Sequence, residues 1–474
     1  MAITFENIRV WDTSERIDLM VPGVDTDRGM LDFAALSGSS KDAGHVIDAS
    51  ALTVAPGLAD PHVHFRDPGQ TDKETMDTGA RAAAAGGYTR VLIMPNTIPA
   101  ADGVLPYGDG TVLDYLETYE TTHHPLPVRY DLCVCASMRR EGLKPTRLAD
   151  WSRFLTPPPR DPSPVADAPR HPIRAISDDG TAVSDAVLDA TMNNAVAAGI
   201  PISDHCERHK SGVMTDGAVS HRLGLPGIPP ETETTIIERD IAAARRTGAH
   251  IHLQHVSTAR SFDLIRKAKA DGVPITCETA PHYLALCDED VESYGPLAKM
   301  NPPLRSAADR QAAVTAVADG TVDMIATDHA PHTTAQKDLG MVDAPNGVIG
   351  LETAYGVCHR ILVDSGYIDD RRLIELMSLA PNRLMGHVST DVAALLNTSS
   401  ACSERRTLDL SLVEHPEDAD LVILDTSRSW TICAADFQSQ ARNTPFDGWI
   451  VTGRAVGTVI GSRLVSLTTG LLGG

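Results

Sequence analysis

Histidines and carboxylates recur in this sequence directly after apolar segments, a placement that can build a metal centre. The first are His62 and His64, which close the run 56–64 and are followed by Arg66. In an extended chain, residues two apart project to the same side, so both imidazoles can reach one ion and Arg66 continues along that side. Alone, the pair is a weak signal, because two nearby histidines are often ordinary core or surface residues.

The same kinds of side chain close four more apolar segments further along. They are Asp178 and Asp179, His205, His255 and Asp328. For each histidine by itself, a structural hydrogen-bonded residue is an equally good interpretation. As a set, the four histidines and the carboxylates predict a metal centre, because unrelated core histidines have no reason to recur at segment ends.

These segments must be strands that end at a common rim. The predicted strands are 58–62, 90–94, 129–136, 173–177, 200–205, 250–255, 274–279 and 323–327. Helix-period stretches lie between them, including 74–85, 184–198, 232–246, 261–270 and 307–318. Strands alternating with helices predict an α/β fold, a (β/α)8 TIM-like barrel, and barrel enzymes place their sites at the carboxyl-terminal rim. A doubly wound open sheet is the alternative, but no G-x-G-x-x-G follows the first strand.

Both ends of the chain have strand character of a different kind. Predicted strands lie at 3–11, 46–54, 419–424, 449–451 and 455–465, and further helices at 351–363 and 370–379. We expect a small β-domain formed from both termini, with its parts at 1–55 and 407–474, around a barrel at 56–390. The proline-rich segment 156–171 and the polar segment 397–406 are expected to be surface insertions.

Composition excludes several kinds of partner. The 474-residue chain has 41 lysines and arginines against 63 aspartates and glutamates, a net charge of −22 that argues against nucleic acid and an anionic membrane surface. No apolar run predicts a membrane span, and the N-terminus has no signal-peptide core. The eight cysteines contain no CxxC pair, so we expect reduced buried thiols in a cytoplasmic protein.

The ligand types indicate the metal and its chemistry. Imidazole and carboxylate without thiolate suit Zn²⁺, with related divalent ions as alternatives. Six ligands from five strands exceed one tetrahedral site and fit two ions about 3.5–4 Å apart that share a bridge. Such ions let a bound water ionise near neutral pH, which supplies a hydroxide nucleophile. Asp328 would adjoin this water, take its proton and pass it to a leaving nitrogen.

Longer motifs extend the pattern over almost the whole chain. The run 56–69, Pro-Gly-Leu-Ala-Asp-Pro-His-Val-His-Phe-Arg-Asp-Pro-Gly, resembles the metal loop of the amidohydrolase superfamily and specifically that of the type I dihydroorotase family. Further motifs similar to that family lie at 94–97, 299–305, 328–332, 350–353 and 443–446. The resemblance implies a zinc enzyme that interconverts N-carbamoyl-L-aspartate and L-dihydroorotate in pyrimidine synthesis.

Matched motif by motif, the resemblance implies a role for each ligand. His62 and His64 would hold one zinc ion, and His205 and His255 the other. Asp328 would be both a ligand and the catalytic acid–base.

The bridge between the ions needs a separate argument. Many relatives use a carboxylated lysine after strand four, but no lysine lies between 174 and 205. Asp-Asp-Gly stands there, resembling the type I pattern, so Asp179 is the expected bridge. Asp178 would instead cap the next helix or support the ligands from behind.

The same motifs imply a pocket for a substrate carboxylate. Arg66 is the expected clamp because a guanidinium fork binds a carboxylate bidentately, and a structural ion pair with Asp67 is the less favoured alternative. His329 is expected to support the site rather than touch substrate. The other expected substrate-binding residues are His64, Asn96, Asn301, His332, Asn346 and Gly347.

Two of these assignments carry alternatives. Asn96 and Asn301 adjoin prolines and could be simple turn residues. The family usually presents an aromatic–glycine pair after strand eight, where this chain has Asn346-Gly347, so the contact there would come from backbone groups.

Two other functions stay open at this point. A cyclic amidase of the allantoinase or hydantoinase type would share the barrel and metals, but the missing lysine and the carboxylate-binding residues disfavour it. A non-catalytic partner of aspartate transcarbamoylase would be expected to lose ligands, whereas all six are present. A homodimer and an association with aspartate transcarbamoylase are both compatible with the sequence.

Overall fold

The computed structural model describes residues 2–24, 45–102, 110–156, 168–208, 211–398 and 406–468. The strands are β1 Ile3–Val10, β2 Arg16–Val21, β3 Gly23–Val24, β4 His45–Asp48, β5 Leu52–Pro56, β6 Leu58–Val63, β7 Tyr88–Ile93, β8 Arg129–Cys135, β9 Ile173–Ser177, β10 Ile202–His205, β11 Met214–Thr215, β12 Gly227–Ile228, β13 Ile251–Gln254, β14 Ile275–Thr279, β15 Met324–Ile325, β16 Thr407–Asp409, β17 Leu421–Thr431, β18 Ile450–Ile460 and β19 Arg463–Leu467.

The α-helices lie mainly between the barrel strands and after the last of them. They are α1 Met76–Ala85, α2 Val112–Thr122, α3 Leu148–Trp151, α4 Asp185–Ala198, α5 Ala218–Leu223, α6 Glu231–Thr247, α7 Ala259–Ala270, α8 Pro281–Ala285, α9 Val291–Tyr294, α10 Ala307–Ala318, α11 Thr334–Lys337, α12 Gly340–Asp343, α13 Ala354–Cys358, α14 Asp370–Ile374, α15 Ala380–Leu384 and α16 Val392–Thr398. One-turn π-helices, His359–Val363 and Glu375–Leu379, continue α13 and α14.

An 8-stranded parallel sheet forms the predicted barrel. Its order is β6-β7-β8-β9-β10-β13-β14-β15. Its two edges meet through a parallel bridge between Val63 and His329, where the His64 amide donates to the His329 carbonyl over 2.9 Å. All six residues of β6 are buried, as expected for a parallel strand covered on both faces. The barrel prediction is therefore confirmed.

The helices begin and end where the local sequence allows it. At the start of α1, the Thr75 hydroxyl accepts a hydrogen bond from the Thr78 amide at 3.1 Å. At the end of α4, Gly199 adopts a φ of 67°, a left-handed conformation that costs glycine little. The five helices predicted between strands are present, with ends that shift by at most two residues.

A 9-stranded sheet contains both ends of the chain. Its main order is β16-β2-β1-β5-β17-β18-β19-β3, and β4 also pairs with β1. The N-terminal β5 lies antiparallel to the C-terminal β17. The prediction of a β-unit built from both termini is thus confirmed. The terminal sheet passes to the barrel at Gly57, while the domain limits 1–55, 56–390 and 407–474 stay predictions.

Two predicted strands were wrong in detail, and helix α2 was not predicted. The strand predicted at 46–54 is two strands, β4 and β5, which pair with different parts of β1. The strand predicted at 455–465 crosses the turn at Gly461 and Ser462, where φ is 56° and 65°, so β18 and β19 pair as a hairpin. Helix α2 was missed because tyrosines and threonines dilute its pattern, although Thr111 and Asp114 form a capping box at its start.

The two predicted insertions lie largely outside the described residues, namely 157–167 of the first and 399–405 of the second. In the part of the chain that the structure describes, no helix is both long enough and apolar enough to cross a membrane.

Candidate metal centre and substrate pocket

The carboxyl ends of five barrel strands bring the predicted metal ligands together. His62 lies in β6 and His64 just after it, Asp179 follows β9, His205 ends β10, His255 follows β13 and Asp328 follows β15. All six side chains are buried. Parallel strands in a barrel point their carboxyl ends at one rim, which is why residues far apart in sequence meet here.

His62 and His64 each point their Nε2 atom toward the same two carboxylates. His62 Nε2 lies 3.2 Å from Asp179 and 3.6 Å from Asp328, and His64 Nε2 lies 3.5 Å and 3.0 Å from the same two residues. The other ring nitrogen of each is engaged, since Nδ1 of His62 donates to Glu278 at 2.7 Å and Nδ1 of His64 donates to Asn96 at 2.8 Å. The Nε2 atoms of both imidazoles face the same two carboxylates, an arrangement that suits a metal ion held among them.

Two overlapping groups of ligand atoms each lie within 4.8 Å of one another. One contains His62, His64 and Asp328, and the other contains His62, Asp179 and His255. His205 belongs to neither group but lies beside His255, with ring centroids 4.4 Å apart. How the six ligands divide between ions stays a prediction.

Burial and neighbouring charges set the ionisation of these groups. Burial lowers the pKa of His62, but Glu278, Asp179 and Asp328 outweigh it and hold the pKa well above its usual value. Burial raises the pKa of Asp179, yet His64 and His62 hold it well below its usual range. Burial, and then the nearby His205 and His62, lower the pKa of His255 well below its usual value, which favours the neutral form that binds a metal.

Two ring nitrogens without partners among the described residues also indicate that the donor set fits a metal ion. The Nδ1 atoms of His205 and His255 are buried and have no hydrogen-bond partner in the described part of the chain. A buried lone pair without a donor is costly, and a bound cation would satisfy it.

Three residues of the site have strained backbone. Arg66, His255 and Asp328 have φ values of 60°, 36° and 49°, in the left-handed region that side chains other than glycine rarely adopt. Such conformations persist only where the surroundings enforce them and are concentrated at functional sites.

Asp178 and Asp179 separate into different roles. Asp178 accepts hydrogen bonds from the Ser137 amide at 3.0 Å and from its hydroxyl, so it ties the loop after β8 to the loop after β9. Asp179 faces His62 and His64 instead.

Glu278 in β14 is the principal site residue that sequence reasoning missed. It accepts hydrogen bonds from His62 and, at 3.0 Å, from Nε2 of His252. Burial opposes its ionisation, but His62 and His252 outweigh that effect and lower the pKa of Glu278 to about 2. A carboxylate in the otherwise uncharged strand Ile-Thr-Cys-Glu-Thr was the available signal.

A cavity of about 330 Å³ opens beside the ligands and is lined by every residue predicted to bind substrate. Its lining includes His64, Arg66, Asn96, Asn301, His332, Asn346 and Gly347, together with Lys73 and Arg140. Asp179, His205, His255 and Asp328 line the same cavity. The pocket therefore joins the metal-type cluster directly to a group of cationic and amide side chains.

Arg66 has no carboxylate within ion-pair distance among the described residues, and its Nε atom is buried without a hydrogen-bond partner. The alternative of a pair with Asp67 receives no support, since Asp67 accepts from the Tyr115 hydroxyl at 2.8 Å and the Met76 amide at 3.3 Å. Arg66 is thus free to bind an anion in the pocket.

The two predicted asparagines contact the histidines themselves. Asn96 accepts from His64 and donates to Asp179 at 3.0 Å, and the amide of Asn301 lies 3.3 Å from Nε2 of His205. Neither is merely a turn residue next to proline.

The loop after β15 is fixed by main-chain contacts. Nε2 of His332 donates to the Asn346 carbonyl at 2.7 Å, and the Asn443 amide donates to the carbonyls of Ala330 and Gly347, both at 3.0 Å. His329 is turned away toward Glu74, 3.3 Å from its Nε2. The C-terminal motif at 443–446 therefore holds the pocket wall from behind.

A parallel barrel with histidines and aspartates gathered at its carboxyl rim defines a metal-dependent hydrolase of the amidohydrolase class. Residues 177–389 match a family model described as the amidohydrolase family, and residues 52–105 match one described as dihydro-orotase-like. The dihydroorotase of Lactiplantibacillus plantarum is 40% identical over 426 residues, 89% of each chain. That of Citrifermentans bemidjiense is 37% identical over 474 residues, 98% of this chain and 99% of the relative. The chain belongs to the dihydroorotase family.

Solved structures with this fold include related cyclic amidases. The dihydropyrimidinase from Brevibacillus agri NCHU1002 superposes with a TM-score of 0.71 at 20% identity, over 99% of this chain and 96% of that one. The L-hydantoinase from Arthrobacter aurescens gives 0.70 at 24% identity, over 98% and 96%. At these identities the similarity establishes the fold alone.

Proposed function

We propose that this protein is a cyclic amide hydrolase that interconverts L-dihydroorotate and N-carbamoyl-L-aspartate in pyrimidine synthesis. The observation that carries the proposal is one cavity that joins the His and Asp cluster to Arg66, which has no ion-pair partner in the described part of the chain. A ring amide to be hydrolysed and a free carboxylate to be held are the two features of dihydroorotate that such a pocket suits. The names of the close relatives support the same substrate.

We assign zinc as the metal, because imidazole and carboxylate donors without thiolate suit it. The proposed ligands are His62, His64, Asp179, His205, His255 and Asp328, with Asp179 as the bridge. When bound, the zinc ions supply an ionised water and polarise the ring carbonyl. Because ligands must be deprotonated to bind, we expect metal affinity to fall in acid.

Asp328 is the proposed acid–base. It lines the cavity and lies 3.0 Å from Nε2 of His64, close to where water would attack the ring carbonyl. In the hydrolytic direction, Asp328 takes the proton of the attacking water as the carbon–oxygen bond forms. It then gives that proton to the ring nitrogen as the carbon–nitrogen bond breaks. Ring closure follows the same steps in reverse.

The substrate carboxylate is the proposed partner of Arg66. A guanidinium fork fixes a carboxylate in two places and so orients the ring amide toward the metal side of the pocket. Asn96, Asn301 and His332 would complete the polar wall, and the backbone of Asn346 and Gly347 would border the ring.

The deciding experiment assays the purified protein with dihydroorotate, allantoin and dihydrouracil side by side and quantifies zinc on the same sample. We expect turnover of dihydroorotate alone and zinc bound to each subunit. Preference for dihydrouracil, which lacks the carboxylate, would contradict the proposal.

Replacing Arg66 tests the carboxylate clamp. Arg66→Ala should raise the KM for dihydroorotate at least about tenfold, the value of one charge-assisted contact, with a smaller effect on kcat. Arg66→Lys keeps the charge but loses the fork, and an intermediate KM is expected. An unchanged KM in Arg66→Ala would exclude the clamp.

A cytoplasmic location, a homodimer and an association with aspartate transcarbamoylase stay predictions.

A further inference from the structure

The cavity is lined by two cations that the proposed mechanism does not use, Lys73 and Arg140. Arg140 lines the same pocket as Arg66, and among the described residues neither guanidinium has a carboxylate within ion-pair distance. Each guanidinium could therefore pair with an anionic group of a bound ligand.

Backbone groups of the loops after β8 and β9 hold Arg140 in place. Arg140 lies in the 3₁₀ turn Met138–Arg140 after β8, with a φ of 57°, and its Nη2 donates to the Asp179 carbonyl. Its Nε atom is buried and has no hydrogen-bond partner among the described residues. The guanidinium is therefore held at the backbone of Asp179 and keeps further donors that can bind an anion.

Gly180 makes the space that Arg140 occupies. A Cβ atom on Gly180 would lie 2.8 Å from Nη2 of Arg140, so a side chain at this position would require the guanidinium to move. The absent side chain lets the guanidinium lie against the loop after β9 and face the pocket.

We propose that Arg140 binds the second carboxylate of the open-chain substrate. This inference rests on the proposed function. N-carbamoyl-L-aspartate carries two carboxylates and dihydroorotate carries one, because ring closure consumes the other. Arg66 would hold the carboxylate that both compounds share, and Arg140 the one that reacts, next to the metal side of the pocket.

This arrangement has a distinct kinetic signature. The equilibrium between the two compounds does not depend on the enzyme, so loss of Arg140 must lower kcat/KM equally in both directions. For ring closure, loss of Arg140 should raise KM and leave kcat unchanged, because Arg140 contacts the open-chain substrate in the ground state and in the transition state. For hydrolysis, loss of Arg140 should lower kcat and leave KM unchanged, because the contact forms only as the ring opens.

The experiment compares Arg140→Gln, Arg140→Lys and Arg139→Gln, each purified with its metal and assayed in both directions. Arg139 is the matched control, since it precedes Arg140, has a similar φ of 56° and is exposed. In Arg140→Gln we expect the KM for N-carbamoyl-L-aspartate to rise about tenfold and kcat for hydrolysis to fall about tenfold, as for one charge-assisted contact. Arg140→Lys should recover most of the lost kcat/KM in both directions, and Arg139→Gln should have the kinetics of the wild type.

Three outcomes would overturn the inference. An equal rise of KM in both directions would place Arg140 on the shared carboxylate. A fall of kcat in both directions with loss of bound metal would make it a support for the Asp179 loop. Identical kinetics of Arg140→Gln and Arg139→Gln would exclude any contact with substrate. Failure of the wild type to turn over either compound would instead defeat the proposed function itself.

Discussion

At the scale of single residues, the candidate centre depends on carboxylates that fix the histidines from behind. Glu278 binds His62 and His252 together, and Asp60 accepts hydrogen bonds from the His62 amide at 3.1 Å and the Thr327 hydroxyl. These contacts hold the Nε2 atom of His62 toward the rim. A ring held by its Nδ1–H is also the more basic metal ligand.

Asp328→Ala should abolish turnover, with a fall in kcat of at least about a thousandfold, because the variant lacks both the proton carrier and a proposed ligand. Initial rates in both directions measure the effect, and circular dichroism checks that the fold persists. Asp338→Ala, at an exposed aspartate, is the control. Near-normal activity in Asp328→Ala would exclude the acid–base role.

Glu278→Gln should weaken metal binding about 10–100-fold, because His62 and His252 donate to different oxygens of Glu278 and a carboxamide replaces one of these oxygens with a donor. Zinc titration against a competing chelator measures the change. Glu289→Gln, at an exposed glutamate in the following segment, should leave the affinity unchanged. An unaltered affinity in Glu278→Gln would show that the orientation of His62 does not depend on this carboxylate.

At the scale of elements, two buried lysines hold the loop that borders the pocket. Lys299 donates to the carbonyls of Val342 and Ala344 at 3.0 and 2.6 Å, and Lys337 donates to that of Pro345 at 2.9 Å. The Gly347 amide in turn donates to the Lys299 carbonyl at 2.9 Å. The loop that carries Asn346-Gly347 in place of the family's aromatic–glycine pair is therefore held through its backbone.

The burial of Lys337 predicts a pH dependence of stability. Burial, and then the charge of Lys299, lower the pKa of Lys337 to about 7, below its usual value of 10.5. The unfolded chain binds this proton more tightly, so between about pH 7 and 10.5 this group makes the folded protein more stable as pH rises. Urea unfolding at pH 7 and pH 9 should show the wild type gaining about 1–2 kcal/mol relative to Lys337→Met. An equal pH dependence in both proteins would contradict the assignment.

At the scale of the whole molecule, the terminal sheet has a core of its own and also packs against the core of the barrel. Val422, Leu424 and Ala455 of the terminal sheet belong to the same buried cluster as the residues of β6 and β7. The Thr458 hydroxyl donates to the Ala84 carbonyl at the end of α1 over 2.7 Å, which joins the two units again. The first metal-bearing strand is therefore supported by both chain ends.

Metal removal should lower both activity and stability, because the ions bind the folded rim and not the dispersed ligands of the unfolded chain. Dialysis against a chelator should abolish turnover and lower the unfolding temperature by several degrees, about 2–4 °C for each kcal/mol of lost binding energy. Added zinc should restore both. Full activity in a sample shown to contain no metal would contradict the proposed centre.

Much of the fold could be predicted because its signals are local. Eight apolar segments separated by helix-period stretches predict the barrel, and the structure contains a strand in each of those segments. The errors fall where pairing decides the strand limits, as in β4 and β5, or where a hairpin turn interrupts an apolar run, as at Gly461. Pairing partners are distant in sequence, so no local pattern reports them.

By itself, the sequence determined which side chains stand at strand ends, because alternation along an extended chain and the order of strands are properties of the chain alone. Only the tertiary structure decided which of them meet. It turned Asp179 rather than Asp178 toward the histidines and, among the described residues, left Arg66 without a carboxylate partner. It also brought Glu278 and Arg140 to the site, although the residues next to them in sequence give no signal of it. The physical reason is that a barrel closes between residues hundreds of positions apart, and distances across its rim are set by packing in three dimensions.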